Sequence, residues 1–217
     1  LIYWAPGDKI SVFDATNNDI TFSTDIAANA TSAKFTNDAE FTVPASLVAV
    51  YPDRVGLYEF DGTTVSNFRV GATQTAVAGS FDSSMAGAIG LPVSEGSTEL
   101  QFTSVHALIK FTIGGDIAPS EVTLVNNKYM IAGLYKYNLS TEKVENTGSQ
   151  NWTKLTGSFE VGKTYYIAVI PYGSETTLTR KFGDTEVKTS KTVTLEPNKL
   201  YNMGTVKDPD APALTAT

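Results

Sequence analysis

The 217-residue chain contains no cysteine. Disulfides, thiolate zinc sites, iron–sulfur clusters and cysteine nucleophiles are therefore excluded. A single histidine, His106, leaves no room for a multi-histidine metal site. It also gives any Ser-His-Asp scheme one possible base. Positive charge is scarce, with 16 Lys and Arg against 23 Asp and Glu for a net charge of −7. The basic footprint that nucleic acid or anionic lipid requires is missing. The acids are spread along the chain rather than gathered into a tail, so their excess bears on solubility and little else. No apolar run approaches the ~18 residues of a membrane helix. GxSxG, HExxH, P-loop and EF-hand patterns are absent.

What the chain has in quantity is Thr, Ser, Phe and Tyr: 29, 17, 11 and 10 residues. Thr, Tyr, Phe and Val suit a pleated, half-buried surface better than a helix. At 41% hydrophobic residues the composition is too apolar for disorder. A chain of this length buries about 70% of its unfolded surface, enough for a core without a staple. The composition points to an all-β protein whose sheets keep one wet face.

Period-2 alternation between turn residues marks the strands. Lys9–Phe13 and Ile20–Ser23 flank Asn17-Asn18-Asp19. A pair Lys34–Thr36 and Glu40–Val43 is expected across Asn37-Asp38. Leu47–Tyr51 stops at Pro52, and Gly56–Phe60 with Thr64–Val70 forms a hairpin over Asp61-Gly62. Gly71–Gly90 reads as a long loop with, at most, a helical turn near Ser83. Phe102–Ile113 reads as one strand. Glu121–Val125, Tyr129–Leu139, Trp152–Phe159, Tyr165–Ile170, Leu178–Phe182, Glu186–Leu195 and Leu200–Val206 follow, at the spacing of a sandwich. The resulting division is an N-terminal sandwich over 1–97, a C-terminal one over 98–207, and a tail over 208–217. The chain opens on the apolar run Leu1-Ile2-Tyr3-Trp4, so the leading sandwich is expected to lack its first strand.

The candidate chemistry is thin. Asp14, Asn17, Asn18 and Asp19 carry oxygens that suit calcium, but a hairpin turn satisfied by its own Asx side chains is the simpler reading. His106 lies mid-strand without an evident nucleophile or orienting carboxylate, so a structural role is expected. Two carboxylates ~5–10 Å apart would suffice for glycoside hydrolysis; solvated surface charge is the expectation for the acids here. Tyr135, Tyr137 and Trp152, with Trp4, could form a sugar-stacking platform or could serve core packing. Asn29, Asn138 and Asn151 each open an N-x-S/T triplet, a pattern that recurs by chance in a Thr-rich chain. No catalytic residue, cofactor or metal is expected, and nucleic acid is not an expected partner.

Four stretches in order resemble a known family. Trp4-Ala5-Pro6-Gly7-Asp8-Lys9-Ile10-Ser11-Val12-Phe13 resembles the opening W-x-x-G-D-x-I-x-V-F of Bacteroidales fimbrillin-like proteins, the type V fimbria subunits. Ala33-Lys34-Phe35 with Leu47-Val48-Ala49-Val50-Tyr51-Pro52 is similar to a second block. Leu100-Gln101-Phe102 with His106-Ala107-Leu108-Ile109-Lys110-Phe111 is similar to a third. Tyr165–Pro171, then Leu195-Glu196-Pro197-Asn198-Lys199-Leu200-Tyr201-Asn202-Met203-Gly204, is similar to the closing pair. The resemblance spans roughly residues 4–206. It implies two tandem transthyretin-like Greek-key sandwiches and export as a lipoprotein to the outer membrane. It also implies a stalk, tip or accessory role in adhesive fimbriae, with other subunits as strand-exchange partners and a host or bacterial surface ligand as a further possible one. A sandwich lacking a strand exposes unpaired backbone and an apolar slot, a template for β-augmentation. Ile10, Val12, Val48 and Val50 are expected to wall that slot. A surface glycan-binding lipoprotein and a two-acid hydrolase are the alternative readings.

Overall fold

The computed structural model describes residues 3–54, 56–115, 118–182, 185–188 and 192–206. Leu1 and Ile2 of the apolar opening run, the residues 183–184 between two expected strands, part of the expected strand 186–195 and the 208–217 tail lie outside the described residues. Within them the chain is all-β, with one short 3-10 turn at Ser83–Met85. The strands are β1 (Lys9–Phe13), β2 (Asp19–Ser23), β3 (Ala49–Tyr51), β4 (Glu59–Phe60), β5 (Thr64–Val70), β6 (Thr73–Thr75), β7 (Ala88–Pro92), β8 (Leu100–Ser104) and β9 (Ala107–Ile113). They continue with β10 (Glu121–Asn126), β11 (Gly133–Asn138), β12 (Lys143–Asn146), β13 (Trp152–Thr156), β14 (Thr164–Val169), β15 (Leu178–Phe182), β16 (Thr185–Lys188) and β17 (Leu200–Val206). Four sheets result, ordered β2-β1-β3-β7-β8, β16-β15-β10-β13-β6, β12-β11-β5-β4 and β14-β9-β17.

The chain divides into two compact units. One comprises Leu1–Phe68, Ala86–Val105 and Lys136–Lys143; the other comprises Arg69–Met85, His106–Tyr135 and Val144–Thr217. The division near residue 97 expected from sequence is thus displaced. The reason lies in strand pairing: β8 joins β7 through Ala88↔Ser104 to Pro92↔Leu100, which holds residues 100–104 in the first unit. The single strand expected over 102–113 is two strands, broken at Val105-His106 where the chain leaves one sheet and enters another.

In the first unit, β1 lies between β2 and β3 and pairs antiparallel with both. Ile10 and Val12 point to one face, where Ala49 completes a small core covered by Trp4, Phe22, Phe35, Phe41, Leu47, Tyr51, Leu100 and Phe102. The cover is aromatic and interlocked. Trp4 meets Phe35, Tyr51 and Phe102 edge-on at 4.8, 5.3 and 5.0 Å, an arrangement each ring quadrupole favours. The hairpin expected over 34–43 does not form. Thr36 instead exchanges both backbone bonds with Ser23, and Phe35 and Phe41 turn their rings to the sheet. Gly90 makes room for this cover, since a Cβ there would come within 2.6 Å of the Phe102 ring.

The second unit is a β-sandwich in which β14-β9-β17 faces β16-β15-β10-β13-β6. One core fills the gap: Ile109, Phe111 and Ile113 of β9 and Tyr165 and Ile167 of β14 meet Val122 and Leu124 of β10, Leu155 of β13 and Leu178 and Phe182 of β15. Their alternation along each strand is the period-2 pattern of a half-buried sheet. Gln74 of β6 ties the two layers. Its strand runs parallel to β13 in one sheet, while its buried amide reaches β14 in the other. Nε2 donates to Ala168 C=O at 2.8 Å and Ala168 N–H donates to Oε1 at 3.0 Å. The same Nε2 lies 2.9 Å from Thr153 Oγ1 and 3.1 Å from Gly71 C=O. The side chain thus stands in for the backbone of a missing strand.

Gln74→Ala should leave Ala168 N–H and C=O buried without partners and cost about 2–3 kcal/mol in urea unfolding. Gln74→Glu should cost at least as much, because the carboxylate keeps an acceptor, loses the donor and buries a charge. Gly90→Val should displace Phe102 and lower stability by about 1–3 kcal/mol. A changed tryptophan emission from Trp4 in the native state would report that displacement.

Candidate functional site

An open hollow of about 390 Å³ lies in the first unit, lined by Phe13, Val48, Phe60, Leu91 and Leu139 with Pro44 and Ala45 at its apolar border. Its construction follows from register. Val12 faces Ala49 and Ser11 faces Val50, so Val48, Val50, Ser11 and Phe13 share the sheet face opposite Ile10 and Val12. Phe13 N–H donates to Val48 C=O at 3.0 Å and holds that end of the sheet together. Across from it, Phe60 sits 5.0 Å from Phe13, at the end of the β4–β5 hairpin. Leu139 is fixed beside that turn by its N–H to Thr63 C=O at 2.9 Å.

The polar rim is built from turns. Asp14 Oδ1 accepts the Thr16 N–H, the Thr16 hydroxyl and the Asn18 N–H at 2.8, 2.8 and 3.0 Å. The Thr16 hydroxyl, then the Asn18 amide, hold the Asp14 carboxyl below the usual aspartate range. Asn17 takes a φ of 64°, the left-handed conformation that an Asx turn tolerates. This is the turn-satisfaction role expected for these side chains. Asp61, beside lining residue Gly62, likewise accepts the Thr64 and Thr63 N–H groups, which lower its pKa.

The four residues expected to wall a strand-accepting slot do not share one. Ile10 and Val12 are buried under the aromatic cover, and Val48 and Val50 project from the other face. All are at most 6% exposed, and β1 and β3 already have neighbours on both edges. Val48 alone lines the hollow. Period 2 is the physical reason: apolarity marks a residue as a candidate wall, while register decides which face it takes.

The proposed stacking platform is also corrected. Tyr135 and Tyr137 are 1% and 9% exposed, so their rings serve the interior. Trp152 is half-buried at the start of β13. His106 is buried, with its ring 5.6 Å from Phe81, and its C=O accepts the Asn198 N–H. Of the N-x-S/T asparagines, Asn138 caps the turn after β11 through Ser140 and Thr141 N–H, and Asn151 donates to Asn126 C=O.

Carboxylates meet at one further place in the first unit. Asp53 accepts the Ser11 and Thr21 hydroxyls at 2.6 and 3.0 Å. Burial, and then the charge of Asp53, raise the pKa of Asp19, whose carboxylate accepts the Gly56 N–H. Both oxygens of Asp53 are spent on the sheet, so the pair can brace strands and loops. Burial pushes the nearby Tyr58 phenol up to about 12. Among the described residues no group of three or more His, Asp or Glu is placed to hold a metal ion.

No family model matches the chain, and no curated protein matches it. Solved structures do. A proposed cell adhesion protein from Bacteroides uniformis is 18% identical with a TM-score of 0.61, covering 94% of this chain and 88% of its own. A second, from Bacteroides ovatus, is 16% identical with a TM-score of 0.58, covering 99% of this chain and 87% of its own. A fimbrial protein from Bacteroides ovatus is 13% identical with a TM-score of 0.45, covering 94% of this chain and 46% of its own. At these identities the first two likenesses establish a shared fold along nearly the whole chain.

Proposed function

We propose that the chain is a structural subunit of cell-surface fimbriae that serves adhesion, a member of the fimbrillin-like proteins built as two transthyretin-like sandwiches. The observation that carries this reading is the shared fold with two proposed Bacteroides cell adhesion proteins over 94–99% of the chain. Four family-like stretches in matching order support it from sequence. The chain is read as exported as a lipoprotein to the outer membrane and as joined to neighbouring subunits by strand donation.

The acceptor in this reading is the hollow walled by Phe13, Val48, Phe60, Leu91 and Leu139. It offers apolar walls between two layers, and a donor strand that fills such a gap gains roughly 1.5–3 kcal/mol per buried aliphatic side chain. Backbone pairing adds about 1 kcal/mol per bond. A handful of such contacts outweighs the ordering of a short segment and gives a long-lived joint.

Immunogold labelling of the producing cells should place the chain on surface filaments; label confined to the soluble fraction would overturn the reading. Leu91→Arg, at the partly exposed border of the hollow, should leave the circular dichroism spectrum unchanged and cut incorporation into filaments about tenfold, a loss of ~1.4 kcal/mol at the joint.

A further inference from the structure

Sheet edges are hazards, and this chain defends nearly all of those described. Edge strand β2 exchanges both bonds of Ser23 with Thr36 and carries Asp19. Edge strand β6 has its Thr75 N–H capped by Asp82 Oδ2 at 2.7 Å. On β14, the Gln74 amide caps Ala168, and Gly79 N–H caps Thr164 C=O. Strand β17 is interrupted by a register shift between Asn202 and Thr205, where Asn202 Oδ1 takes the Gly204 N–H. Strand β12 exposes Lys143 and Glu145, β16 exposes Glu186, and β4 has only two residues, one of them the exposed Glu59.

Strand β8 is the exception. Leu100-Gln101-Phe102-Thr103-Ser104 has no charge, no proline and no register shift. Val93 N–H bonds Glu99 C=O and Val105 N–H bonds Gly87 C=O, so the odd-numbered residues 99–105 turn their backbone groups toward β7. Leu100 and Phe102 therefore turn theirs outward. Among the described residues these have no backbone partner; the only contact is a 3.4 Å bond from Gln101 Nε2 to Phe102 C=O.

We propose that β8 is an association edge for a second copy of this chain, paired antiparallel about a two-fold axis at Gln101. The edge is complementary to itself in that register. Leu100 of each copy faces Phe102 of the other as a bonded pair, and each pair exchanges both N–H···O bonds. Gln101 faces Gln101 as the non-bonded pair between them. The two half-buried apolar side chains, Leu100 and Phe102, meet their counterparts on the aromatic side of the sheet. Glu99 faces Thr103 rather than another acid, so no like charges oppose. The contact is isologous and closes after two copies. It does not depend on the fimbrial reading, whose joint is the hollow.

The absence of native cysteine gives a direct test on the full chain. Facing Cα atoms of a non-bonded antiparallel pair lie about 4.5 Å apart, within disulfide reach. Gln101→Cys should oxidise to a covalent dimer at least tenfold faster than Thr103→Cys, which faces residue 99 of the partner. Sedimentation velocity of the unmodified chain should show a concentration-dependent dimer. Gln101→Lys and Gln101→Glu, at an exposed position, should each weaken it at least tenfold by setting like charges opposite one another. The proposal is overturned by a monomer at all concentrations with equal oxidation of the two cysteine variants. It is also overturned by a dimer indifferent to Gln101→Lys, or by an edge that takes up only an extended segment of another protein.

Discussion

The backbone at the rim of each sheet is the constraint to which the rest of the molecule answers. An inner strand has partners for its N–H and C=O groups by construction, while an edge strand must find them elsewhere. In the second unit the solution is a side chain. Gln74 belongs to a three-residue strand in one layer and completes the edge of β14 in the other. A carboxamide is the side chain suited to this, because it presents a donor and an acceptor in the geometry of a peptide group. At Ala168 the edge of β14 is satisfied without a further strand among the described residues, and Phe111, Tyr165 and Leu155 are buried in the adjoining core.

In the first unit, side chains rather than backbone make the seal. Residues 24–48 contain no strand, yet Phe35, Phe41 and Leu47 cover Ile10 and Val12 together with Trp4. The segment gives up hairpin pairing and gains aromatic burial. Thr36 anchors it to β2, and Trp4 exchanges backbone bonds with Ala30 to fix the other end. On the opposite face of the same sheet Phe13 and Val48 are equally buried, and they line the inner wall of the hollow.

These arrangements set what could be read from sequence. Long alternating strands such as β9, β14 and β10 were legible, because burial on one face writes period 2 into the residues. The hairpin over Asp61-Gly62 was legible from its turn. Strands β6 and β7 were not. Thr73-Gln74-Thr75 is polar throughout because its buried member works by hydrogen bonding, and Ala88-Ile89-Gly90-Leu91-Pro92 is weak in pattern because Gly90 yields its space to Phe102. The slot failed for a related reason. Ile10, Val12, Val48 and Val50 are all apolar and buried, but the register of β1 against β3 sends them to opposite faces, so they do not wall one slot. The aromatic platform failed because Tyr135 and Tyr137 alternate inward along β11.

The hollow and the β8 edge both involve the sheet β2-β1-β3-β7-β8 but present different chemistry. The hollow presents the side chains of Phe13, Val48 and Leu91. The edge presents the backbone of Leu100 and Phe102, and backbone alone is indifferent to sequence. Selectivity there has to come from what flanks the bonds: the pairing of Leu100 with Phe102, and the position of Glu99, which tolerates Thr103 opposite it and disfavours an acid. An edge so nearly free of charge on a chain of net charge −7 places its attraction in a short local contact against a long-range repulsion. Salt screens the second far more than the first. Association through β8 is therefore favoured as ionic strength rises, the opposite of what a charge-driven contact would do.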